Sequence, residues 1–492
     1  MKIKGFIDVR AFLFNNTSIK QTIFKNTFWM GLGDGINKLL KLILLIYIAK
    51  ILGATEYGKF SFAFAFVGLF TALTILGVPQ IMVREFARDK EKEKDFSSIV
   101  SLGILLNLGT LILIFVSSFF VTSNFQIQRI IWILAVSTSL DILGHVFCSF
   151  FRARQQMQYE AFAKIIQVLI LASVGFFVLF YSPSILNLSY GYLSANLAVL
   201  IFILLIFFLK FGFLKIKWNT AVWKRYLLMS WPLALVGFLT IIYAQIDSVM
   251  MGYWNQITQT GWYNAAYRIV GATLIPASLI SLSFYPALSK IFKESKEKLQ
   301  GVWNFQMEIM IFLALPVTIG GIILAPKIIN FIYDSSYAPS IMAFQILIVM
   351  AGISIFSSPF QQALIVSDQQ KKIFWGILIG VVINIFLNSV LIPRYSLYGA
   401  ATATVITGLL TSFIFFKFVS KFTPIQPFSL KLFFSLIMVG FSSIIMYFVI
   451  SCSKIYNLNV LLSIFIGLFV YLITFFGLKF TLKRINHYYQ RI

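Results

Sequence analysis

Of 492 residues, 59% are hydrophobic and only 11% charged, and the mean hydropathy is +0.89, a balance that no water-soluble globular surface tolerates. The formal charge of +24 comes from Lys and Arg in short clusters between apolar runs, which excludes a continuous nucleic-acid-binding face. Two cysteines, Cys148 and Cys452, have neither CxxC spacing nor metal-ligand neighbours, so no disulfide, metal or cofactor is expected.

The first residues carry Lys2, Lys4, Arg10 and Lys20 around short apolar patches, and 1–24 reads as a cytosolic amphipathic lead-in. Apolar runs of membrane-spanning length follow near 25–49, 58–78, 97–120, 130–150, 161–181 and 186–209. A basic stretch, 210–226, links them to further runs near 227–251, 262–288, 303–325, 341–366, 373–393 and 397–416. An extra pair lies near 428–450 and 458–478, within 417–479, and 480–492 is a basic tail. The expected fold is therefore an all-α polytopic membrane protein of about fourteen transmembrane helices.

Lys and Arg alternate between connections in the way this segmentation demands. They crowd the N-terminus, Arg84 to Lys94, Arg152 to Lys164, Lys210 to Arg225, Lys290 to Lys298, Lys371 with Lys372, Lys417 to Lys431 and the tail from Lys479. Those segments are expected in the cytosol, with both termini. The opposite connections are short, which leaves no external domain of the kind that membrane polymerases and glycosyltransferases use for catalysis.

An echo at an offset of roughly 205–215 residues relates the halves: the charged loop after Pro79 recurs after Pro286, and Arg154-Gln155-Gln156 recurs as Gln369-Gln370-Lys371. An even number of helices per half gives both copies the same orientation. The expected arrangement is two six-helix lobes, 25–209 and 227–416, around a pseudo-two-fold axis along the membrane normal, with a cavity between them.

Ionisable residues within the spans are few. Asp34, Lys38 and Lys41 share one face of the first helix at spacings of four and three, and Arg268 stands on the eighth. Each charge at mid-bilayer costs about 2.5–3.5 kcal/mol on insertion scales, so these groups must be paired or line a wet cavity. Asp34 is expected to pair with Lys38 one turn away, leaving Lys41 and Arg268 over. Lys supplies a mobile point charge and Arg a bidentate grip, both suited to an anionic substrate. Asp141 and His145, four apart, form a candidate proton relay, with a neutral buried hydrogen bond as the plainer reading. Asp247 is expected near solvent at the outer end of its helix.

Gly31, Gly33 and Gly35 look superficially like a phosphate loop, but no strand precedes them; with Pro232, Pro276 and Pro316 they are expected to loosen their helices. Tyr243, Trp254, Trp262, Tyr263 and Tyr267 read as an interfacial aromatic belt, with Tyr243 or Tyr267 as alternative platforms for a sugar ring. Asn384 and Asn388 share a face and are expected to bond a neighbouring helix.

Several motifs in order then carry a family resemblance. They are Asn26-Thr27, the stretch from Ala49 through Gly53, Glu56, Tyr57, Gly58 and Phe60, Leu76-Gly77, and Arg84-Glu85. Phe151-Arg152-Ala153-Arg154-Gln155, Asp247 to Gly252, Gly261 to Arg268, Pro286 to Ser289, and Asn388 through Ile392-Pro393 to Gly399-Ala400-Ala401 complete the set. Together they resemble the polysaccharide-transporter (Wzx-type O-antigen flippase) branch of the multidrug/oligosaccharidyl-lipid/polysaccharide (MOP) superfamily.

The resemblance implies a MOP/MATE-like fold in a bacterial inner membrane, with a cationic central cavity that moves polyprenyl-diphosphate-linked oligosaccharide to the outer leaflet by alternating access. By that implication Lys38, Lys41 and Arg268 meet the diphosphate, Asp34 and Tyr267 complete the substrate site, and polysaccharide polymerase or chain-length machinery are further partners. A lipid-linked peptidoglycan-precursor flippase shares these features. A multidrug antiporter calls for an acidic cavity instead. A membrane-embedded envelope-synthesis enzyme lacks both a loop and a nucleophile or carboxylate constellation here.

Overall fold

Hydrocarbon offers no hydrogen-bond partner to a bare peptide group, so apolar sequence of this kind must satisfy its backbone within helices. The computed structural model describes residues 12–16, 18–292 and 294–489, and every regular element among them is helical. The lead-in 1–24 and the tail 480–492 lie partly outside the described residues.

Fourteen α-helices longer than ten residues lie among the described residues, beginning with α1 Ile19–Ile75, α2 Val78–Arg88, α3 Phe96–Val121, α4 Phe125–Ala153, α5 Gln158–Tyr181, α6 Ile185–Phe211 and α7 Thr220–Tyr253. They continue as α8 Ile257–Thr273, α9 Ile275–Ile291, α10 Lys296–Ile332, α11 Pro339–Val366, α12 Gln370–Phe422, α13 Leu430–Ser451 and α14 Val460–Tyr489. Grouped into continuous stretches, they give 12 that are long and apolar enough to cross a membrane. The sequence suggests about fourteen. The difference falls in α1 (57 residues) and α12 (53 residues), each of which holds two expected runs. Each also has one non-helical residue inside, Gly53 (φ 76°) and Ser396 (φ 54°).

Of the glycines and prolines named as loosening points, the helix is interrupted beside one, Pro276. α1 runs unbroken through Gly31, Gly33 and Gly35, α7 through Pro232 and α10 through Pro316, while Pro276 opens α9 after the single residue Leu274. Proline at a helix start loses no hydrogen bond, because that N–H has no intrahelical acceptor.

The chain forms two compact units, one to Gly261 and one from Trp262. In the first, α1 packs along α5, α7 and α4, and α4 packs along α6. One end of this unit is closed by a cluster of aromatic rings, with Phe96 and Phe150 at 4.6 Å and Phe207 and Phe211 against Phe150. The Arg154 guanidinium caps that cluster 4.5 Å from the Phe211 ring and pairs with Glu93. In the second, α10, α11, α12, α13 and α14 share a core around Trp303, Phe360, Phe415 and Tyr471. The buried Tyr471 donates to the Phe312 carbonyl (2.8 Å), and Gln306 donates to Gln362 (2.6 Å), so polar groups within that core bind helix to helix.

Asp247 is 5% exposed and therefore buried, contrary to the solvated position expected for it. Asn388 donates to Asn384 along α12 (3.1 Å), a bond within one helix.

The tightest approach in the first unit is a seam between α1 and the first turn of α8. A Cβ added to Gly58 would stand 1.9 Å from the Ile257 carbonyl oxygen, and one added to Gly261 would stand 1.9 Å from that of Ala54. The Thr55 and Thr258 hydroxyls meet across it at 2.9 Å. Small residues let two backbones touch where lipid gives helices no hydrophobic reason to associate. Gly58→Ala and Gly261→Ala are each expected to lower unfolding stability by about 1–3 kcal/mol through overpacking, read as a fall in melting temperature of the purified protein.

Candidate functional site

Three helices of the first unit each present a polar face at the same spacing of four and three residues. α1 offers Asp34, Lys38 and Lys41, and α5 offers Glu160, Lys164 and Gln167. α4 adds Asp141, His145 and Cys148. These side chains enclose a cavity of about 150 Å³, with Asn37, Gly144 and Ala163 also in its wall. The helices approach closely beside it because Gly33 faces Ala161, whose Cα would lie 2.9 Å from an added Cβ.

Asp34 pairs with Lys164 (2.7 Å) and not with Lys38, the partner expected from α1 alone. Lys164 reaches Glu160 as well (2.9 Å), and buried Glu160 takes the Arg152 guanidinium on both oxygens, the closest contact being 2.7 Å. The result is a continuous chain of alternating charge, Asp34–Lys164–Glu160–Arg152, tying α1 to α5 and to the end of α4. Such a chain is stable between packed helices because each charge faces its opposite.

A second network is built on Gln167. Its Oε1 accepts from Lys41 (3.2 Å) and Asn37 (3.2 Å), and its Nε2 donates to Asp141 (2.8 Å) and Asn196 (2.7 Å). The donors on α1 and the acceptors on α4 and α6 fix which way the amide points. Asp141 also lies 3.7 Å from His145 Nε2, so the two residues singled out on α4 do meet.

Lys38 remains. It is exposed, lines the cavity, and has no hydrogen bond or ion pair among the described residues. The wall as a whole is mixed, with three carboxylates (Asp34, Asp141, Glu160) and three lysines (Lys38, Lys41, Lys164), where α1 by itself points to a basic balance. Sequence reading misses Glu160, Lys164 and Arg152 because it assigns Arg152 to Lys164 to a connecting loop, and Gln167 because an uncharged residue within the 161–181 run carries no charge signal. α5 begins at Gln158, and only the short turn at 154–157 separates it from α4. The repeated four-and-three spacing on α5 is the signal that would have found them.

Arg268 and Tyr267 belong to α8 in the second unit. The Arg268 Nε is buried and without a hydrogen-bond partner among the described residues, and the Tyr267 ring stacks on Tyr263 at 5.7 Å. Trp262, placed in the aromatic belt, donates to the Ser336 carbonyl (2.9 Å).

Residues 23–292, more than half of the chain, match the profile of a family described as "Polysaccharide biosynthesis protein". The chain is 22% identical over 399 residues to "Probable flippase AglR" of Haloferax volcanii, covering 78% of this chain and 81% of that protein. Among solved structures it is similar to "Lipid II flippase MurJ, inward closed conformation", with TM-score 0.75 and 18% identity over 90% of this chain and 97% of that one. It is also similar to the "Inward-facing conformation of a multidrug resistance MATE family transporter of the MOP superfamily", with TM-score 0.66 and 14% identity over 78% and 93%. The expected all-α MOP fold is borne out.

Glu160→Ala is expected to leave Arg152 and Lys164 facing each other without a carboxylate between them. The cost falls near the lower end of about 3–5 kcal/mol, since both cations keep some access to water, and thermal unfolding of the purified variant measures it.

Proposed function

We propose that this chain, which belongs to the polysaccharide biosynthesis protein family and is a multi-pass transporter and not an enzyme, flips a polyprenyl-diphosphate-linked oligosaccharide across the bilayer. The reading rests on one observation above the rest: Lys38 stands in a cavity lined by α1, α4 and α5 with its charge unspent while the acids around it are engaged by other cations or amides. A diphosphate cannot cross roughly 30 Å of hydrocarbon bare, but an unpaired ammonium in a wet, polar recess replaces part of its hydration while the lipid tail stays in the bilayer.

In this scheme Lys38 and Lys41 take the phosphates from the first unit. Lys41 gives up only a neutral amide acceptor to do so. Asp34 is the group that holds Lys164 in place, and the family resemblance makes Arg268 and Tyr267 candidate phosphate and sugar contacts of the second unit taken by itself. The site is exposed alternately to the two sides, and the clustering of Lys and Arg sets both termini in the cytosol. No bond is made or broken, so net movement needs a driving force, for which Asp141 and His145 are the candidate proton carriers.

Reconstitution into liposomes, with a short polyprenyl-diphosphate oligosaccharide inside and a glycosidase outside, tests the scheme. Protein-dependent exposure of the sugar is expected, and Lys38→Ala or Arg268→Ala should reduce it at least about ten-fold, the loss of one charged contact, with normal abundance in the membrane. Transport at the wild-type rate by either variant would remove that residue from the site. Absence of exposure by well-folded wild-type protein would reject this substrate in favour of a lipid-linked peptidoglycan precursor.

In the same assay His145→Ala is expected to change the dependence of rate on pH more than the affinity for substrate. A profile identical to wild type would exclude His145 from proton coupling.

A further inference from the structure

Between α6 and α7 the chain runs as eight non-helical residues, 212–219. Both flanking helices are of membrane-spanning length, so this strap must lie at the bilayer boundary. Its backbone is tied down: the Ser97 hydroxyl donates to the Lys215 carbonyl, and the Ser101 hydroxyl to that of Lys217 (2.7 Å). The register explains the fit. Two residues of extended chain advance about 6.6 Å and four residues of helix about 6.0 Å, so alternate carbonyls of the strap meet successive turns of α3. Trp223 adds a third tie by donating to the Ser98 carbonyl (2.7 Å).

With its carbonyls held inward, the strap turns outward a set of side chains that a purely structural linker has no reason to expose. Phe213 is 89% exposed, Trp218 62% and Ile216 51%, and Lys215 and Lys217 stand among them with Lys224 just beyond. None of these three lysines has an ion-pair partner among the described residues. The nearby acid, Asp95, is taken by Arg225 and Tyr226. No Asp or Glu occurs anywhere between Glu160 and Asp247. Aromatic and aliphatic side chains suit the depth of the headgroups and upper acyl chains, and unneutralised lysines in the same row suit phosphate at that depth.

We propose that the strap 213–218, with Lys224, is a docking site for anionic phospholipid headgroups, with Phe213, Ile216 and Trp218 seated in the bilayer boundary and the lysines on the phosphates. The site is distinct from the Lys38 cavity and does not depend on what that cavity carries. It gives the protein a means of sensing the charge of the leaflet through α7, the helix that the strap leads into.

The test uses the full chain in nanodiscs of phosphatidylcholine doped with brominated phosphatidylglycerol or brominated phosphatidylcholine. Tryptophan fluorescence is read for wild type and for Trp218→Phe, and the difference reports Trp218 together with its ring contact to Trp223, 5.5 Å away. Brominated phosphatidylglycerol is expected to quench the Trp218 signal at a lower mole fraction than its neutral counterpart. Lys215→Gln, Lys217→Gln and Lys224→Gln should each weaken that preference about five-fold, whereas Lys→Arg at the same positions keeps it. The Arg set also guards against a folding defect in the Gln set. Equal quenching by both lipids, or a preference that survives all three Gln substitutions, would overturn the proposal. So would relief of quenching by inorganic diphosphate in solution, which would assign the lysines to a soluble phosphate and not to a lipid.

Discussion

Charge packed between apolar helices has to be answered by charge or by water, and the first unit is organised around that requirement. Lys164 is the pivotal group. By bridging Asp34 on α1 to Glu160 on α5, it joins two helices that Gly33 has already brought into contact, and Arg152 then neutralises the carboxylate that Lys164 shares. With those four charges satisfied among themselves, Lys38 and Lys41 are left facing the cavity with one neutral amide between them and their surroundings. The ion chain thus holds the helices together and also leaves the two lysines available.

Much of the fold was legible because membrane sequence is constrained so heavily. The apolar runs located α3, α5, α6, α11 and α13 to within about three residues, since hydrocarbon permits no other spanning structure for such a run. What the pattern could not give was continuity. The sequence around Gly53 and Ser396 reads as a break between two runs, and the backbone passes through both points with a single non-helical residue. Where a helix bends or ends is decided by what packs against it, which one-dimensional periodicity does not contain.

The site was legible helix by helix and not across helices. Asp34, Lys38, Lys41, Asp141 and His145 were all identifiable as charges out of place, and all five line one cavity. The pairing was misread because the nearest partner in sequence, Lys38, is not the nearest in space. Arg152 and Arg154 at the end of α4 and Lys164 near the start of α5 look like a loop cluster when counted for topology. Glu160, the one acid among them, marked the difference: an acid followed four residues later by a base, then by Gln167, is a helical face turned inward.

Lys38 and Lys41 are the proposed phosphate ligands of the first unit, and direct binding tests that role without requiring transport. Binding of a short polyprenyl-diphosphate saccharide to purified wild-type protein, measured by calorimetry against the same lipid bearing no phosphate, should require the diphosphate and weaken at least about ten-fold in Lys38→Gln and again in Lys41→Gln. Equal affinity for the phosphate-free lipid, or undiminished affinity in both variants, would contradict the account.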